Sequence, residues 1–417
     1  SVLGNGLGSI QVLLPSDLES GLRGFNTWDI KQFGLTDFNG DGFDDLLLQI
    51  NNLIIVGYGK NFDSNAPQGT NIWDLRDLFT DSTIGYWADT DGLIVKATAD
   101  FNNDGTDELV FQDGVGDLYI NDEQGTTSIW LEGDLIQQYI EFGDHIAVGD
   151  FDGDGYKDIA VSADDYDKDY EADSDEGAVF IFLGGPNGLS SSPSVSIIGP
   201  WPDAEISWSG LYNLGDLNGD GYQDLGFGDG DFSFIFWGKS FFDATYDLAL
   251  ENPPVNITVF DNEDIGFDLV DNVTALGDID GDGFHDFAFK HSYYDSSIGG
   301  FIYQIVVLYG QQTWAGLYDE DAGIGGLNFL NINVPGDNFY ATAILPLGDM
   351  DGDGKNEFGI TFTTSEAYSK NDAILIWNGS EFANSNDFSV PLKETFFVIT
   401  ENESGVIIGN LEAQNGL

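Results

Sequence analysis

The segment DFDGDGYKD, from Asp150 to Asp158, decides the fold of this 417-residue chain. It places Asp at its first, third, fifth and ninth positions and Gly at its sixth. Carboxylates this close together repel one another unless a cation lies among them. Oxygens of positions 1, 3 and 5, the carbonyl of position 7 and the carboxylate of position 9 can converge on one ion, because Gly at position 6 permits the left-handed turn. The segment therefore predicts a loop that binds a hard divalent cation.

The same pattern, D-x-[DN]-x-D-G-x-x-[DE], occurs six times, and we number the copies loops 1 to 6 in chain order. The other five read DFNGDGFDD from Asp37, DFNNDGTDE from Asp100, DLNGDGYQD from Asp216, DIDGDGFHD from Asp278 and DMDGDGKNE from Asp349. From loop 1 to loop 6 the mean step is about 62 residues. Quasi-regular recurrence of this kind is typical of a repeat architecture.

Each loop contributes five predicted ligands, all through oxygen. Ca²⁺ accepts roughly six to eight oxygen ligands in flexible geometry, whereas Mg²⁺ requires a stricter octahedron, so we expect about six Ca²⁺ ions. Turns of Asp and Gly without any metal are the alternative, but a turn alone does not need acids at all these positions. The predicted ligands are Asp37, Asn39, Asp41, Phe43 and Asp45; Asp100, Asn102, Asp104, Thr106 and Glu108; Asp150, Asp152, Asp154, Tyr156 and Asp158; Asp216, Asn218, Asp220, Tyr222 and Asp224; Asp278, Asp280, Asp282, Phe284 and Asp286; Asp349, Asp351, Asp353, Lys355 and Glu357.

The loops are not EF-hands, although an EF-hand loop begins in the same way. An EF-hand needs Glu at position 12 and a helix on each side. Position 12 is apolar in every copy, and short apolar runs such as LLLQI from Leu46 and HIAVG from His145 flank the loops. Such runs, bounded by turn residues, are typical of buried strands, so each loop is predicted to close a β-hairpin. The residues at position 12 are Leu48, Phe111, Val161, Phe227, Phe289 and Ile360.

An apolar strand that ends at Gly or Asn-Gly follows five of the six hairpins, as in GAVFIFLGG from Gly177 and FSFIFWGKS from Phe232. About four strands per repeat make the blade of an all-β propeller. GSIQVLLP from Gly8 is similar to an outer strand, and the segment from Phe396 to Asn410 is similar to a hairpin with a degraded loop. We expect both ends to share a seventh blade, giving one seven-bladed β-propeller domain of four-stranded antiparallel blades over residues 1–417. A ring of six or of eight blades is the alternative.

These features resemble the FG-GAP repeats of integrin α-subunits and of bacterial and cyanobacterial surface proteins. The resemblance is carried by the six loops, by Phe33-Gly34 and Phe142-Gly143, and by GAVFIFLGGPNGL from Gly177, and it extends over essentially the whole chain. It implies a seven-bladed propeller with Ca²⁺ loops on one face and ligand-binding loops on the opposite face. Only some integrin blades carry the calcium loop, whereas six do here.

Composition narrows the classes of function. The formal net charge is −61, with 73 acidic residues against 12 Lys plus Arg, which disfavours binding to nucleic acid or anionic membrane. Adaptation to salt is a partial alternative explanation of this charge. The chain has no Cys, so a disulfide or a thiolate metal site is excluded. We expect no transmembrane helix, and the first ten residues lack the features of a signal peptide.

Other candidate sites are weaker. Eight acids crowd the segment from Asp164 to Glu176, which we interpret as a solvated loop, with an extra cation site or a cation-bridged partner as the alternative. Trp201 and Trp314 could stack on sugars, but packing between blades is the simpler interpretation. No catalytic motif is recognisable, and none of the three histidines forms a metal-binding pair.

The sequence therefore predicts a non-enzymatic adhesion or protein-binding module, extracellular or at the cell surface, with structural Ca²⁺. Its partner, a protein or a glycan, is expected on the face opposite the metal loops. A carbohydrate-directed propeller, either a lectin or a polysaccharide lyase, is the alternative. A rigid spacer within a larger surface protein is a third.

Overall fold

The computed structural model describes most of the chain between Gln11 and Asn410, with gaps. The described residues are 11–13, 30–38, 40, 45–50, 53–57, 72–74, 84–89, 94–112, 118–121, 129–131, 142–168, 175–208, 210–248, 253–262, 273–295, 300–318, 329–333, 339–349, 354–364, 373–377, 397–402 and 405–410.

All elements bounded within these residues are β-strands. They are β1 (Gln11–Leu13), β2 (Ile30–Thr36), β3 (Asp45–Ile50), β4 (Leu53–Gly57), β5 (Ile72–Asp74), β6 (Ile84–Asp89), β7 (Ile94–Ala99), β8 (Glu108–Gln112), β9 (Leu118–Asn121), β10 (Ile129–Leu131), β11 (Ile146–Gly149), β12 (Asp158–Ala163), β13 (Ala178–Phe182), β14 (Val195–Ile198), β15 (Leu211–Gly215), β16 (Asp224–Gly228), β17 (Phe232–Phe236), β18 (Thr245–Asp247), β19 (Ile257–Asp261), β20 (Thr274–Gly277), β21 (Asp286–Asp295), β22 (Gly300–Leu308), β23 (Leu317–Tyr318), β24 (Phe329–Asn333), β25 (Phe339–Gly348), β26 (Glu357–Thr364), β27 (Ala373–Trp377), β28 (Phe397–Asn402) and β29 (Gly405–Asn410).

Six sheets each contain one of the predicted loops, between their first two strands, and we call them blades 1 to 6 after the loop that they carry. The strand orders are β2-β3-β4-β6, β7-β8-β9-β10, β11-β12-β13-β14, β15-β16-β17-β19, β20-β21-β22-β24 and β25-β26-β27. The pairing is antiparallel, as in Leu225 opposite Phe236 and Phe287 opposite Leu308. The predicted hairpins and the all-β fold are therefore confirmed, and the blades are of the propeller type.

Burial explains why these segments form strands. All residues of β8, β12 and β16 are buried, since each lies inside its sheet with both faces covered. Adjacent blades share their apolar cores. Phe38 and Leu47 of blade 1 pack with Leu109 of blade 2, and Ile305 of blade 5 packs with Phe358 of blade 6. Continuous apolar runs, rather than strict alternation, are expected for strands covered on both faces.

Two details differ from the predicted four-stranded antiparallel blade. Blades 3 and 4 each gain a short fifth strand, because β14 pairs in parallel with β18 and β19 pairs in parallel with β23. Blade 6 has three strands among its described residues. The N-terminal strand β1 pairs in parallel with β5, while β28 and β29 form a hairpin of their own, so the predicted pairing of the two ends is not seen in the described part of the chain.

The chain divides into two compact units. Unit 1 comprises residues 1–148, 154–165 and 180–194, and it contains blades 1 and 2. Unit 2 comprises residues 149–153, 166–179 and 195–417, and it contains blades 4, 5 and 6.

Candidate cation loops

Acidic oxygens converge in three of the loops. In loop 2 the carboxylates of Asp100, Asp104 and Glu108 each offer an oxygen, and these oxygens lie within 4.8 Å of one another. The same holds for Asp278, Asp280 and Asp282 in loop 5. A third group, in loop 3, consists of Asp150, Asp152 and Asp158. The predicted positions 1, 3, 5 and 9 are thus brought together in different combinations.

The first Asp of a loop sets the curl of the backbone. In loop 4, the backbone N–H groups of Asp220 and Gly221 donate to the two carboxylate oxygens of Asp216, at 3.0 and 2.9 Å. The Gly at position 6 has φ between +90° and +93° in loops 2 to 6, a left-handed value that favours glycine. Its predicted role in the turn is confirmed. The residues are Gly105, Gly155, Gly221, Gly283 and Gly354.

The acid at position 9 is buried and ties its own hairpin together. Asp224 accepts the N–H of Leu217 at 2.9 Å through one oxygen and that of Gly238, beyond the third strand, at 2.9 Å through the other. Asp286 accepts the N–H groups of Ile279 and Gly310 in the same way, both at 2.8 Å. This structural duty of position 9 was missed in the sequence, where the residue was treated only as a ligand.

Burial raises the pKa of these acids, because an ionised carboxylate is poorly solvated there. The pKa values of Asp224 and Asp286 rise to about 8, and that of Glu108 rises to about 7. Backbone hydrogen bonds oppose the shift, while neighbouring loop carboxylates add to it. A divalent cation among the oxygens would favour the ionised form of the same groups.

The donor set fits Ca²⁺. All the converging side-chain atoms are oxygens, which is the ligand chemistry of a hard cation. Two oxygens on opposite sides of one Ca²⁺ lie about 4.6–5.2 Å apart, given Ca–O distances of about 2.3–2.6 Å. Oxygens that lie within 4.8 Å of one another can therefore all contact one such ion.

Two protein-family models match the region that contains loops 2 and 3. The FG-GAP repeat family matches residues 142–182, and an FG-GAP-like repeat matches residues 100–161. Residues 100–182 are thus similar to FG-GAP repeats.

Several curated relatives are integrin α-subunits. Integrin alpha-5 of Xenopus laevis is 30% identical over 253 residues, which are 54% of this chain and 22% of the relative. Human integrin alpha-IIb is 40% identical over 102 residues, 24% of this chain and 9% of the relative. The chain thus spans less than a quarter of the length of these relatives. It resembles the FG-GAP β-propeller of the integrin α head.

Among solved structures, a lectin of Agrocybe aegerita that recognises terminal N-acetylglucosamine aligns with a TM-score of 0.44 and 16% identity, covering 87% of this chain and 82% of its own. Within the described residues, no helix is long and apolar enough to cross a membrane.

Some predicted ligands lie outside the described residues, namely Asn39, Asp41 and Phe43 of loop 1 and Asp351 and Asp353 of loop 6. Asp45 begins β3, and Asp349 and Glu357 flank loop 6 in the structure. At position 7, where the sequence predicted only a carbonyl ligand, the side chain also matters. The rings of Tyr222 and Phe284 lie where a side chain on Gly153 or Gly219 of the preceding loop would have to be.

The acidic segment is partly described. Asp164 and Glu176 are buried, and Glu176 accepts the backbone N–H of Lys168 at 3.0 Å. The N–H of Asp175 donates to Asp167 at 2.9 Å. Asp169, Glu171 and Asp173 lie outside the described residues. At its described ends the segment is therefore more ordered by hydrogen bonds than the predicted solvated loop.

Both candidate sugar-stacking tryptophans contact other rings. Trp314 lies 5.5 Å from the Trp237 ring and packs against the core shared by blades 4 and 5. Trp201 meets Phe232 edge-on at 5.3 Å. These contacts favour the packing interpretation of both residues.

Proposed function

We propose that this chain is a calcium-stabilised FG-GAP propeller that acts as an extracellular or cell-surface module for adhesion or protein binding. The observation that carries the proposal is the convergence of acidic oxygens in loops 2, 3 and 5 within the span of one Ca²⁺. The likeness to integrin α-subunits supports a binding role rather than an enzymatic one, and the comparisons give the polysaccharide lyase alternative no support.

Six structural ions would stabilise the fold directly. Each loop gathers repelling carboxylates, several of them buried, so an ion that binds only the folded loop adds its binding free energy to stability. Micromolar-to-millimolar affinity is typical of extracellular calcium modules, and cytosolic calcium would leave such loops largely empty. This difference in calcium supply supports the outside location.

The strand pairing supports seven blades in one domain. β14 and β19 are the fourth strands of blades 3 and 4, and each pairs in parallel with a short strand of the following blade, β18 or β23. β1 makes the same parallel pairing with β5 of blade 1. By this analogy β1 is the fourth strand of a blade that precedes blade 1, and the hairpin of β28 and β29 would supply two of its other strands.

The partner is proposed to bind at the sheet ends away from the cation loops. In an antiparallel blade the connection between the second and third strands lies at the opposite end from the first hairpin. The acidic segment from Asp164 to Glu176 is this connection in blade 3, which makes it the candidate for a cation-bridged contact. A protein ligand is the first expectation, with a glycan as the other outcome of a binding screen.

The test is a calcium count on the full chain. After chelator treatment, equilibrium dialysis is expected to find about six Ca²⁺ per chain, and calcium is expected to raise the melting temperature markedly. The variant D216N/D220N should lose one ion, while the control D231N/D243N, which changes two exposed acids outside the loops, should lose none. Absence of bound calcium, or melting that ignores chelation, would overturn the proposal. Capture of matrix proteins and of arrayed glycans, each with calcium and with chelator, then identifies the partner class.

A further inference from the structure

Position 8, which lies between the predicted ligands and was assigned no role, contacts the preceding loop. The backbone N–H of His285 in loop 5 donates to the carbonyl of Asp216, the first residue of loop 4, at 2.9 Å. The N–H of Asp216 in turn donates to Nδ1 of the His285 ring at 3.2 Å. One residue of blade 5 thus satisfies both backbone groups of the residue that begins the loop of blade 4.

The same reciprocal pair recurs at other junctions with different side chains. Gln223 of loop 4 pairs with Asp150 of loop 3, where the two bonds measure 3.2 and 2.7 Å. Asp107 of loop 2 pairs with Asp37 of loop 1, with both bonds at 3.0 Å. His, Gln and Asp share only a side-chain acceptor at a suitable reach, so the acceptor is the feature that matters.

At the junction between loops 5 and 6, the hydrogen bond between the two backbones is present, as at the junctions described above. The N–H of Asn356 donates to the carbonyl of Asp278 at 2.8 Å, and its side-chain amide donates to the carbonyl of Leu276 at 3.0 Å.

The residue before position 1 is shaped to admit the position-8 side chain. A Cβ on Gly215 would lie 1.9 Å from Nδ1 of His285, and a Cβ on Gly277 would lie 1.8 Å from Nδ2 of Asn356. Both glycines also have left-handed φ, +79° and +71°. The contact is therefore built into both sides of the junction.

A further bond holds position 2 of the preceding loop. The carbonyl of Leu217 accepts the N–H of Gln311 from blade 5 at 2.9 Å, and the carbonyl of Phe151 accepts that of Lys239 from blade 4 at 3.0 Å. Blades 4 and 5 thus each bond to the first two residues of the loop before them.

We propose that position 8 is a positioning residue for the cation site of the preceding blade, so that each blade sets the calcium affinity of its neighbour in one direction along the chain. The inference rests on the proposed calcium function. Position 1 supplies the carboxylate around which the loop curls, and position 8 of the next blade fixes the backbone of that same residue. A loop released from this contact must order its first residue when it binds the ion, which weakens binding.

Loop 3 provides a natural exception. Its position 8 is Lys157, whose side chain has donors only, so it cannot accept the N–H of Asp100 in loop 2. A different contact serves this junction, because the side-chain amide of Asn103 in loop 2 donates to the carbonyl of Gly155 at 2.7 Å. Lys157→Gln would introduce the acceptor that Gln223 provides one blade later.

The direction of the effect is tested with His285→Ala and the conservative His285→Gln. Without calcium, hydrogen exchange of His285→Ala is expected to rise about fivefold or more in residues 216–221 of loop 4 but not in residues 278–283 of loop 5. Calcium titration should show one site weakened about fivefold to tenfold, the loss expected for about one hydrogen bond. His285→Gln should restore both readouts.

Variants that disable one loop at a time identify which calcium site His285→Ala weakens. In an Asp220→Ala background, where loop 4 is disabled, His285→Ala should change the remaining calcium affinities no further. In an Asp282→Ala background, where loop 5 is disabled, the loss should persist. The opposite pattern, or equal effects in both backgrounds, would overturn the proposal.

The exchange measured without calcium separates this inference from the proposed function. If the chain bound no calcium, the proposed function would fail, while loosening confined to loop 4 would still show that position 8 acts on the preceding loop. Lys157→Gln is expected to tighten one site by a few-fold, and unchanged exchange of residues 100–105 in this variant would count against the side-chain acceptor as its basis.

Discussion

At the scale of single residues, the acids of a loop divide into two kinds. Asp282 at position 5 is exposed, whereas Asp286 at position 9 is fully buried and accepts two backbone N–H groups. Without a cation, burial raises the pKa of Asp286 to about 8, so the protonated form of this one carboxyl is favoured at neutral pH. The exposed acid accepts the nearby N–H of Phe284 at 3.0 Å within its own loop, while the buried acid ties the whole hairpin together.

Substitution of Asp282 and of Asp286 should separate ion binding from stabilisation of the hairpin. Asp286→Ala leaves the N–H groups of Ile279 and Gly310 buried without their acceptor, at a cost of about 1–3 kcal/mol for each. Its melting temperature should fall in chelator as well as in calcium. Asp282→Ala should lower melting mainly in calcium, because it removes a ligand and, of the loop's own structure, one exposed hydrogen bond from the Phe284 N–H. Equal behaviour of the two variants in chelator would contradict this division.

A second residue-scale prediction concerns pH. Asp229, in the turn between β16 and β17, is away from the cation loops, and burial raises its pKa to about 6 from the ordinary value of 3.8. Because the folded pKa is the higher one, the stability that its protonated form contributes is present below about pH 4 and is lost as pH rises through about 6.

Asp229→Asn keeps the acceptor for the Phe232 N–H, which is 2.6 Å away, but cannot ionise. Relative to the parent chain it should therefore gain up to about 3 kcal/mol between pH 4 and pH 8. Denaturant unfolding at both pH values measures the gain, with the exposed Asp243→Asn as the control. If the difference in unfolding free energy between Asp229→Asn and the parent chain did not change with pH, the raised pKa of Asp229 would be refuted.

At the scale of the hairpin, the glycine that follows the third strand of blade 3 is required by a close approach of the chain. A Cβ on Gly184 would lie 2.1 Å from the carbonyl oxygen of Lys157, and the Gly184 N–H donates to Asp158 at 2.8 Å. A Cβ on the next residue, Gly185, would meet its nearest neighbour, the carbonyl oxygen of Gly188, only at 4.0 Å. One glycine of this pair is therefore needed for packing and the other is not.

Gly184→Ala should lower the melting temperature in calcium and in chelator alike, because the Lys157 carbonyl that it would displace is at position 8 of loop 3, which is not a predicted ligand. Overpacking of this kind costs about 1–3 kcal/mol. Gly185→Ala, one residue further, is the matched control and should melt within a degree or two of the parent. A Gly184→Ala variant as stable as its control would show that the chain after β13 can move away from the Lys157 carbonyl at little cost.

The elements also show which features the sequence could reveal. The hairpins were predictable, because the six loops repeat ligand spacing and the runs beside them are mainly apolar, as in Ile159 to Ala163, where Ser162 is the one polar residue. The short parallel strands β18 and β23 were not, because two or three residues acquire their pairing only from a neighbouring blade. The role of His285 was hidden for the same reason, although the Gly before positions 1 of loops 3 to 6 was a visible signal.

At the scale of the whole chain, charge decides how the fold responds to ions. The formal net charge is −61, and six divalent ions would reduce it to about −49 by adding twelve positive charges. Repulsion of this size opposes the compact state in general, while the ions act at the points where carboxylates are closest. Diffuse screening and site binding should therefore be separable by experiment.

The calcium-free chain is expected to melt at rising temperature as sodium chloride increases from low concentration to about 0.5 M, because the Debye length falls and carboxylate repulsion weakens. The melting temperature of the calcium-loaded chain should rise less with sodium chloride, since each bound ion already offsets the charge of two carboxylates in its loop. Choline chloride is the control, because its large cation screens charge but cannot enter an oxygen-lined loop. If sodium raises the melting temperature and choline does not, monovalent ions occupy the loops themselves, and simple repulsion is not what calcium relieves.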